Sequence, residues 1–388
     1  MPNIPEDWGN NFYKSGWQPG LEVNEQTGMG EITHVGTDPD YRNKFDSILK
    51  EWGFNPKYYE IEGSVRASSW NVQLKGGKTE TFYAFKGIVK KKRPGHDKYF
   101  QQLFKQAKKK PPLKNKTLGG DTAFLFFMAD WQLGKKDYGV ENTIKRYDIA
   151  LQDAVNRIKD LRKTGVKIDE IYMIGLGDLT ENCYGFYDSQ PFNIELTMIE
   201  QYALARSMMM KTIETFLPHA DKLILAGCPG NHGEASRSQK GQVVTNRLDN
   251  TDTMHLQICE EIMKANPDRY KKVSVKIPDG FHQVMTIKNI PCAWTHGHMS
   301  GGSGNPENKI ENWWKGQMYG FLPAKDAQIL ITGHYHHFRS KQQGDRTWFQ
   351  SPSLDKSIDF TARTGMWSHP GVLTFTVNEK GWDNLKIL

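Results

Sequence analysis

The stretch Thr122-Ala123-Phe124-Leu125-Phe126-Phe127-Met128-Ala129-Asp130-Trp131-Gln132 decides how the chain reads. Ala123–Met128 is too short and too apolar for a surface helix and fits a strand buried on both faces. It runs straight into a turn that carries a carboxylate and an amide. Four more apolar, strand-like runs end in the same manner further along. The turns are Gly177-Asp178-Leu179-Thr180-Glu181, Gly230-Asn231-His232-Gly233-Glu234, Thr295-His296-Gly297-His298 and Gly333-His334-Tyr335-His336. Alone, a Gly-Asn-His is a tight turn and a buried His is a hydrogen-bonded core residue. Five turns that all carry ligand-type side chains point to a metal centre.

Coordination chemistry sharpens this. Two divalent cations about 3.5–4 Å apart need a carboxylate that bridges them, further oxygen donors and several neutral imidazoles. Asp178 is the natural bridge. Asp130 and Gln132 offer oxygens to one ion, and Asn231, His296, His334 and His336 fill the remaining positions. The expected reaction is metal-dependent phosphoester hydrolysis, in which a hydroxide bridging the ions attacks phosphorus.

Between these turns, strand and helix alternate. Helical spacing covers Thr143–Leu161 and Ile194–Phe216, and strands are expected at Ile171–Leu176, Lys222–Ala226, Val273–Ile277, Val284–Ile287, Ala293–Thr295, Ile329–Thr332, Thr347–Phe349 and Val372–Val377. Buried strands followed by helices give a layered α/β sheet whose ligands collect beyond the strand ends.

Upstream the character changes. Residues 1–40 are rich in Gly, Asn, Pro and Trp without periodicity and read as an irregular arm or a capping loop. A helix over Tyr41–Gly53 and a hairpin, Ser64–Leu74 with Thr79–Val89 around Gly76-Gly77, follow. The expected organisation is a helix-plus-hairpin module over 1–89, a basic linker and helix over 90–117, and a catalytic domain over 118–388.

Charge marks the linker. The chain of 388 residues carries a net +7, yet residues 90–116 alone hold eleven Lys or Arg against one acid, Asp97, so the rest is net negative. A helix over His96–Lys110, stopped by Pro111-Pro112, lies in this segment. It is either a solvated connector or a phosphate-backbone contact surface, in which Tyr99, Phe100 and Phe104 interleave with the lysines. Candidate nucleic-acid contacts are Lys90, Lys91, Lys92, Arg93, Lys108, Lys109 and Lys110, with Arg237, Lys240 and Arg247 after the Asn231-His232 turn. Tyr184, Phe186, Tyr187 and Phe192 are expected to pack beneath a loop, with a stacking platform for unpaired bases as the alternative. No apolar run reaches the ~18 residues of a membrane span. The first residues lack the pattern of a secretion signal, and the four cysteines form no paired motif, so a soluble cytoplasmic protein with no membrane partner is expected.

Taken together, the turns resemble the calcineurin-like metallophosphoesterase superfamily, whose pattern is D-x-H, G-D-x-x-D/E, G-N-H-E/D, a later His and G-H-x-H. The resemblance covers roughly residues 123–377. It implies a β-sandwich flanked by helices, one metal on Asp130, Gln132, Asp178 and His336, and a second on Asp178, Asn231, His296 and His334. It also implies that His232 acts beside the scissile phosphate as general acid or electrostatic stabiliser. Two departures stand out: Gln132 occupies the place of a His, and Glu234 falls one position late, where it is expected to orient His232 from behind. His298 is the competitor of His296. A glutamine oxygen is a harder, weaker donor than imidazole, which favours Mn²⁺ over Zn²⁺ or Fe²⁺. With the basic segment, the resemblance extends to the nuclease subunit of the double-strand-break repair complex and its bacterial and phage relatives. It implies a DNA exonuclease or endonuclease of repair and recombination, in a branch where homodimers are common. The alternatives are a small-molecule phosphatase or phosphodiesterase, and a nucleic-acid-binding protein whose metal site has decayed.

Overall fold

A computed structural model describes residues 13–24, 29–40, 44–56, 59–73, 77–91, 96–113, 117–235, 248–300, 305–356, 358, 361–362, 365 and 367–388. The chain divides into two compact units, Met1–Gly95 and His96–Leu388.

In the first unit, strands β1 (Gly20–Asn24), β2 (Met29–Gly36), β3 (Tyr59–Gln73) and β4 (Thr79–Lys91) form one antiparallel sheet in the order β1-β2-β4-β3. Helix α1 (Phe45–Glu51) buries Ile48 and Leu49 against Ile32, Phe85 and Val89 of that sheet. It stops where Gly53 takes φ +82°, a conformation open to glycine. The expected hairpin is present and longer than the sequence indicated. The irregular arm is corrected: β1 and β2 lie within residues 1–40 and extend the sheet beyond the hairpin.

The second unit opens with α2 (His96–Lys109), inside the stretch expected to link the domains. The helix is anchored on the second unit itself, since Asn266 Nδ2 donates to the Ala107 and Lys110 carbonyls at 2.9 and 2.8 Å. Then follow β5 (Thr122–Met128), α3 (Val140–Lys163), β6 (Ile168–Gly175), α4 (Met198–Phe216), β7 (Lys222–Gly227), α5 (Thr251–Lys264), α6 (Pro267–Tyr270) and β8 (Val273–Lys276). The remaining elements are β9 (His282–Ile287), β10 (Ile290–Thr295), α7 (Pro306–Tyr319), β11 (Ile329–Thr332), β12 (Arg339–Gln343), β13 (Arg346–Gln350), β14 (Leu373–Asn378) and β15 (Gly381–Ile387).

Two mixed sheets result, ordered β15-β14-β5-β6-β7-β8 and β12-β13-β11-β10-β9. Within the first, β5 to β8 are parallel; within the second, β10, β11 and β13 are parallel. The two-residue period of a strand explains the layering. Ala123, Leu125 and Phe127 of β5 face the second sheet, where they meet Trp294, Ile331 and Phe349. Phe124, Phe126 and Met128 face α3, α4 and α5 and join Tyr147, Ala154, Met209 and Phe216. On the far side, Ala293, Leu330 and Trp348 pack against Ile310 and Trp314 of α7. The order of layers is helices, sheet, sheet, helix, the sandwich the sequence led to. Each fully buried Phe or Leu in the two inner layers contributes about 1.5–3 kcal/mol, so β5, buried along its whole length, is the keel of the unit. Helix α4 begins four residues later than its apolar spacing suggested. A capping box sets its start: Thr197 accepts from the Glu200 backbone, and Glu200 accepts from that of Thr197 at 2.9 Å. Among the described residues no helix is long and apolar enough to cross a membrane.

Candidate metal centre

All five ligand-bearing turns follow the carboxyl ends of parallel strands: β5, β6, β7, β10 and β11. The β5 and β6 ladders continue past the strands, with Asp130 N donating to Gly177 O at 3.1 Å and Gln132 N to Asp178 O at 3.0 Å. This extension keeps the two turns side by side. Asp130, Gln132, Asp178, His334 and His336 all adopt positive φ, at +47°, +43°, +53°, +70° and +58°. They are five of the ten non-glycine residues described in that conformation. Asp and His tolerate it better than most, yet each such residue is strained by about 1–3 kcal/mol, and such strain concentrates at functional sites.

The backbones approach so closely that only glycine fits between them. A Cβ on Gly230 would stand 2.2 Å from Asp178 Oδ1, and one on Gly333 2.8 Å from Asp130 Oδ2. The glycines of the second, third and fifth turns are thus packing requirements as well as turn formers.

One group of donors converges tightly. His296 Nε2 lies 3.0 Å from Asp178 Oδ2, 3.1 Å from Asn231 Oδ1 and 3.2 Å from His334 Nδ1. Its other nitrogen, Nδ1, donates to Leu176 O at 2.7 Å, which orients the ring and leaves Nε2 facing the cluster. That is the arrangement in which a histidine holds a metal. A single nitrogen carries at most one proton, so three lone-pair-bearing partners around it leave acceptors unsatisfied in a buried place. A divalent cation fits that donor set. Burial opposes ionisation of Asp178, but His296, His232 and His334 hold its carboxyl well below the usual range, and the same carboxylate raises His296 to about 9, so an ion bound here would take the place of a proton on Nε2. Burial, with His296 beside it, pushes His334 down to about 2, so its imidazole is neutral, as a metal ligand must be. His298 stands beside this group, its ring 5.3 Å from that of His296 and 6.2 Å from that of His334.

The other group is looser. Asp130 accepts from the His334 backbone at 3.1 Å and lies 3.4 Å from His336 Nε2. Gln132 is turned elsewhere: its Oε1 accepts from Lys135 Nζ at 3.1 Å. Lys135 in turn donates to Asp355 at 2.8 Å.

His232 donates its backbone N–H to Asp178 Oδ1 at 2.7 Å, and its ring Nδ1 bonds Glu181 O at 2.8 Å. The carboxylate set behind it is Glu181, with Oε2 3.5 Å from Nδ1, in the role expected of Glu234. Glu234 lies instead 3.8 Å from His298 Nε2. Burial works against a charge on His232, and Asp178 and Glu181 outweigh it and raise the pKa.

One residue of the site escaped the sequence. Asp252, in the first turn of α5, accepts from Asp178 N at 3.1 Å, Leu179 N at 3.1 Å and Gly230 N at 2.9 Å, locking the second and third turns together. Burial and the neighbouring Asp178 push its pKa up to about 6.

The expectation that the aromatic residues after Asp178 are packed away is corrected for three of them: Tyr184 is 66%, Tyr187 36% and Phe192 85% exposed. Phe186 stacks on His232, rings 4.6 Å apart and 11° from parallel. Trp314 is core.

The basic candidates are dispersed. Lys90 lies 3.9 Å from Glu60 in the first unit, while Lys110 lies 3.1 Å from Glu214 in the second. Lys108 and Lys109 are exposed on α2. Lys92, Arg93, Arg237, Lys240 and Arg247, and the side chain of Lys91, lie outside the described residues.

Neither a protein-family model nor a curated protein matches the chain. Among solved structures, vacuolar protein sorting 29 of Cryptosporidium parvum overlays with a TM-score of 0.32 at 11% identity, over 66% of this chain and 86% of that one. A novel archaeal phosphodiesterase gives 0.31 at 12%, over 68% and 99%. A predicted phosphoesterase of Streptococcus pneumoniae gives 0.28 at 11%, over 67% and 86%. At these scores the likeness decides neither fold nor activity.

Proposed function

We propose that the chain is a metal-dependent phosphoesterase that cleaves nucleic-acid phosphodiesters, DNA in preference, with manganese as its cation. The observation that carries this reading is the convergence of Asp178, Asn231 and His334 on His296 Nε2 within 3.0–3.2 Å. Asp178, Asn231, His296 and His334 would hold one ion; Asp130, Gln132 and His336, sharing Asp178, would hold the other. When bound, such ions supply the Lewis acidity and the activated water that in-line phosphoester hydrolysis requires.

The chain's own residues complete the chemistry. Nδ1 of His232 is engaged by Glu181 O, so Nε2 is the atom that can meet substrate. A proton on that nitrogen could pass to the departing oxygen. The Phe186 ring lies flat on the imidazole and keeps it oriented and shielded on one face. Support for a polymeric substrate comes from the basic surplus over residues 90–116, with Lys105, Lys108 and Lys109 exposed on α2, and from the exposed rings of Tyr184 and Phe192, which can stack on unpaired bases.

The test is digestion of end-labelled linear duplex and single-stranded DNA by the purified protein with Mn²⁺, beside Asp178→Asn. Metal-dependent cleavage that the variant lacks is the expected result. DNA left intact while a small phosphodiester is hydrolysed would move the substrate to small esters.

A further inference from the structure

In the half of the centre around Gln132, the chain already supplies a cation. Lys135 turns back from the same loop, and its Nζ donates to Gln132 Oε1 at 3.1 Å and to Asp355 Oδ2 at 2.8 Å. The three groups are deep: Gln132 is 7% and Asp355 3% exposed, and the Lys135 side chain 14%. Asp355 is fixed to the ligand turn through the main chain, since Leu354 N and Asp355 N donate to Asp130 O at 3.3 and 3.5 Å. The ammonium, the amide oxygen and the Asp130 turn are therefore one bonded unit. The Asp355 carboxylate, 2.8 Å from Nζ, is the counter-charge of the ammonium.

We infer that Lys135 is a built-in competitor for the cation at Asp130, Gln132 and His336, so that the chain holds one divalent ion tightly and a second only weakly. The inference rests on the metal-centre reading proposed above. A divalent ion that used the Gln132 oxygen would displace the ammonium from it and then lie beside a buried positive charge, where low dielectric makes repulsion strong. In the His296 half, by contrast, the donors face one another. A purely structural Lys135–Asp355 brace would leave the affinity for the second ion unchanged when both charges are removed together.

The experiment is calorimetric titration of the metal-free full chain with Mn²⁺, with bound ion counted after dialysis. Wild type is expected to take one tight equivalent and a second at least about tenfold weaker. Lys135→Met with Asp355→Asn removes both charges and should tighten the second equivalent about ten- to a hundredfold, the usual reach of groups bonded to a metal's ligands, with the first unmoved. Lys135→Met alone should tighten it further, because it releases the Asp355 carboxylate. Lys135→Arg, which keeps the charge, should stay weak and remains informative should the neutral variants not fold. Two equivalents of equal affinity in wild type would overturn the inference, as would a double variant whose second equivalent does not move. A wild type that binds no ion at all would overturn the metal-centre reading, and this inference with it.

Discussion

The two halves of the centre use different chemistry on the same scaffold. Around His296, three donors from the turns after β6, β7 and β11 converge within 3.2 Å of one nitrogen, Nε2 of His296 in the turn after β10, and the backing groups are main-chain carbonyls and amides. Around Gln132, a carboxylate, an amide and one imidazole are spread wider, and a lysine holds the amide. Imidazole and carboxylate in close array suit a tightly held transition metal, while amide and carboxylate oxygens suit a harder and more exchangeable ion. On the proposed reading, the scaffold would separate a permanent position from an adjustable one, with Asp178 shared between them.

Breaking the joint should have the largest effect. Asp178→Asn removes the negative charge that the proposed bridge needs and leaves a single oxygen to serve both the cluster and the His232 backbone N–H. Loss of several kcal/mol of charge stabilisation corresponds to an activity loss on the order of 10³-fold or more, read as the rate of phosphodiester hydrolysis. Retention of more than a tenth of wild-type rate would show that the halves are independent. The next comparison sets His296→Ala against His336→Ala. The first should abolish the tight equivalent in a Mn²⁺ titration; the second should leave it in place and remove only the weak one. Equal losses would erase the distinction between the halves.

Asp252 tests whether the tight half depends on its bracing. Asp252→Asn keeps the size but loses part of the acceptor capacity that gathers three backbone N–H groups. The tight equivalent should weaken about 10–100-fold, as expected for a group that positions ligands. Asp252→Ala should in addition lower stability by about 1–3 kcal/mol for each buried donor left unpaired, seen as a lower urea midpoint. Unchanged metal affinity in both variants would make Asp252 a purely structural cap.

The contrast between Asp252 and the five turns also marks what was legible in the sequence. Asp130, Asp178 and His296 were visible because each ends an apolar run, and the strand period turns such runs into buried β5, β6 and β10. Asp252 bonds backbone rather than metal, so no neighbouring ligand type flags it. The one local signal is Asn250, whose side chain caps α5 and announces a helix start next to the site. Strands β12 and β15 are half-exposed edges, and their polar sequences hid them. Strands β1 and β2 were missed for a related reason: Gly, Glu and Thr replace the apolar alternation on which a strand reading depends. The exposed ring of Phe192 went the other way, because apolar character alone does not say which side of a loop a ring takes.

The smallest expected effect is also the sharpest test of what divides the halves. Gln132→His puts an imidazole donor where an amide now stands, and an imidazole at this position need not accept from Lys135. If donor type alone weakens the Gln132 half, the second Mn²⁺ equivalent should tighten several-fold and Zn²⁺ more than Mn²⁺, following the softer ligand. If the lysine's charge dominates, Gln132→His by itself should gain little, and the gain should appear once Lys135 and Asp355 are neutralised as well. The two substitutions act on bonded neighbours, so their effects should not add. The size of that non-additivity, measured by titrating the single, double and triple variants, separates how much of the weak half is made by the amide from how much is made by the ammonium that holds it.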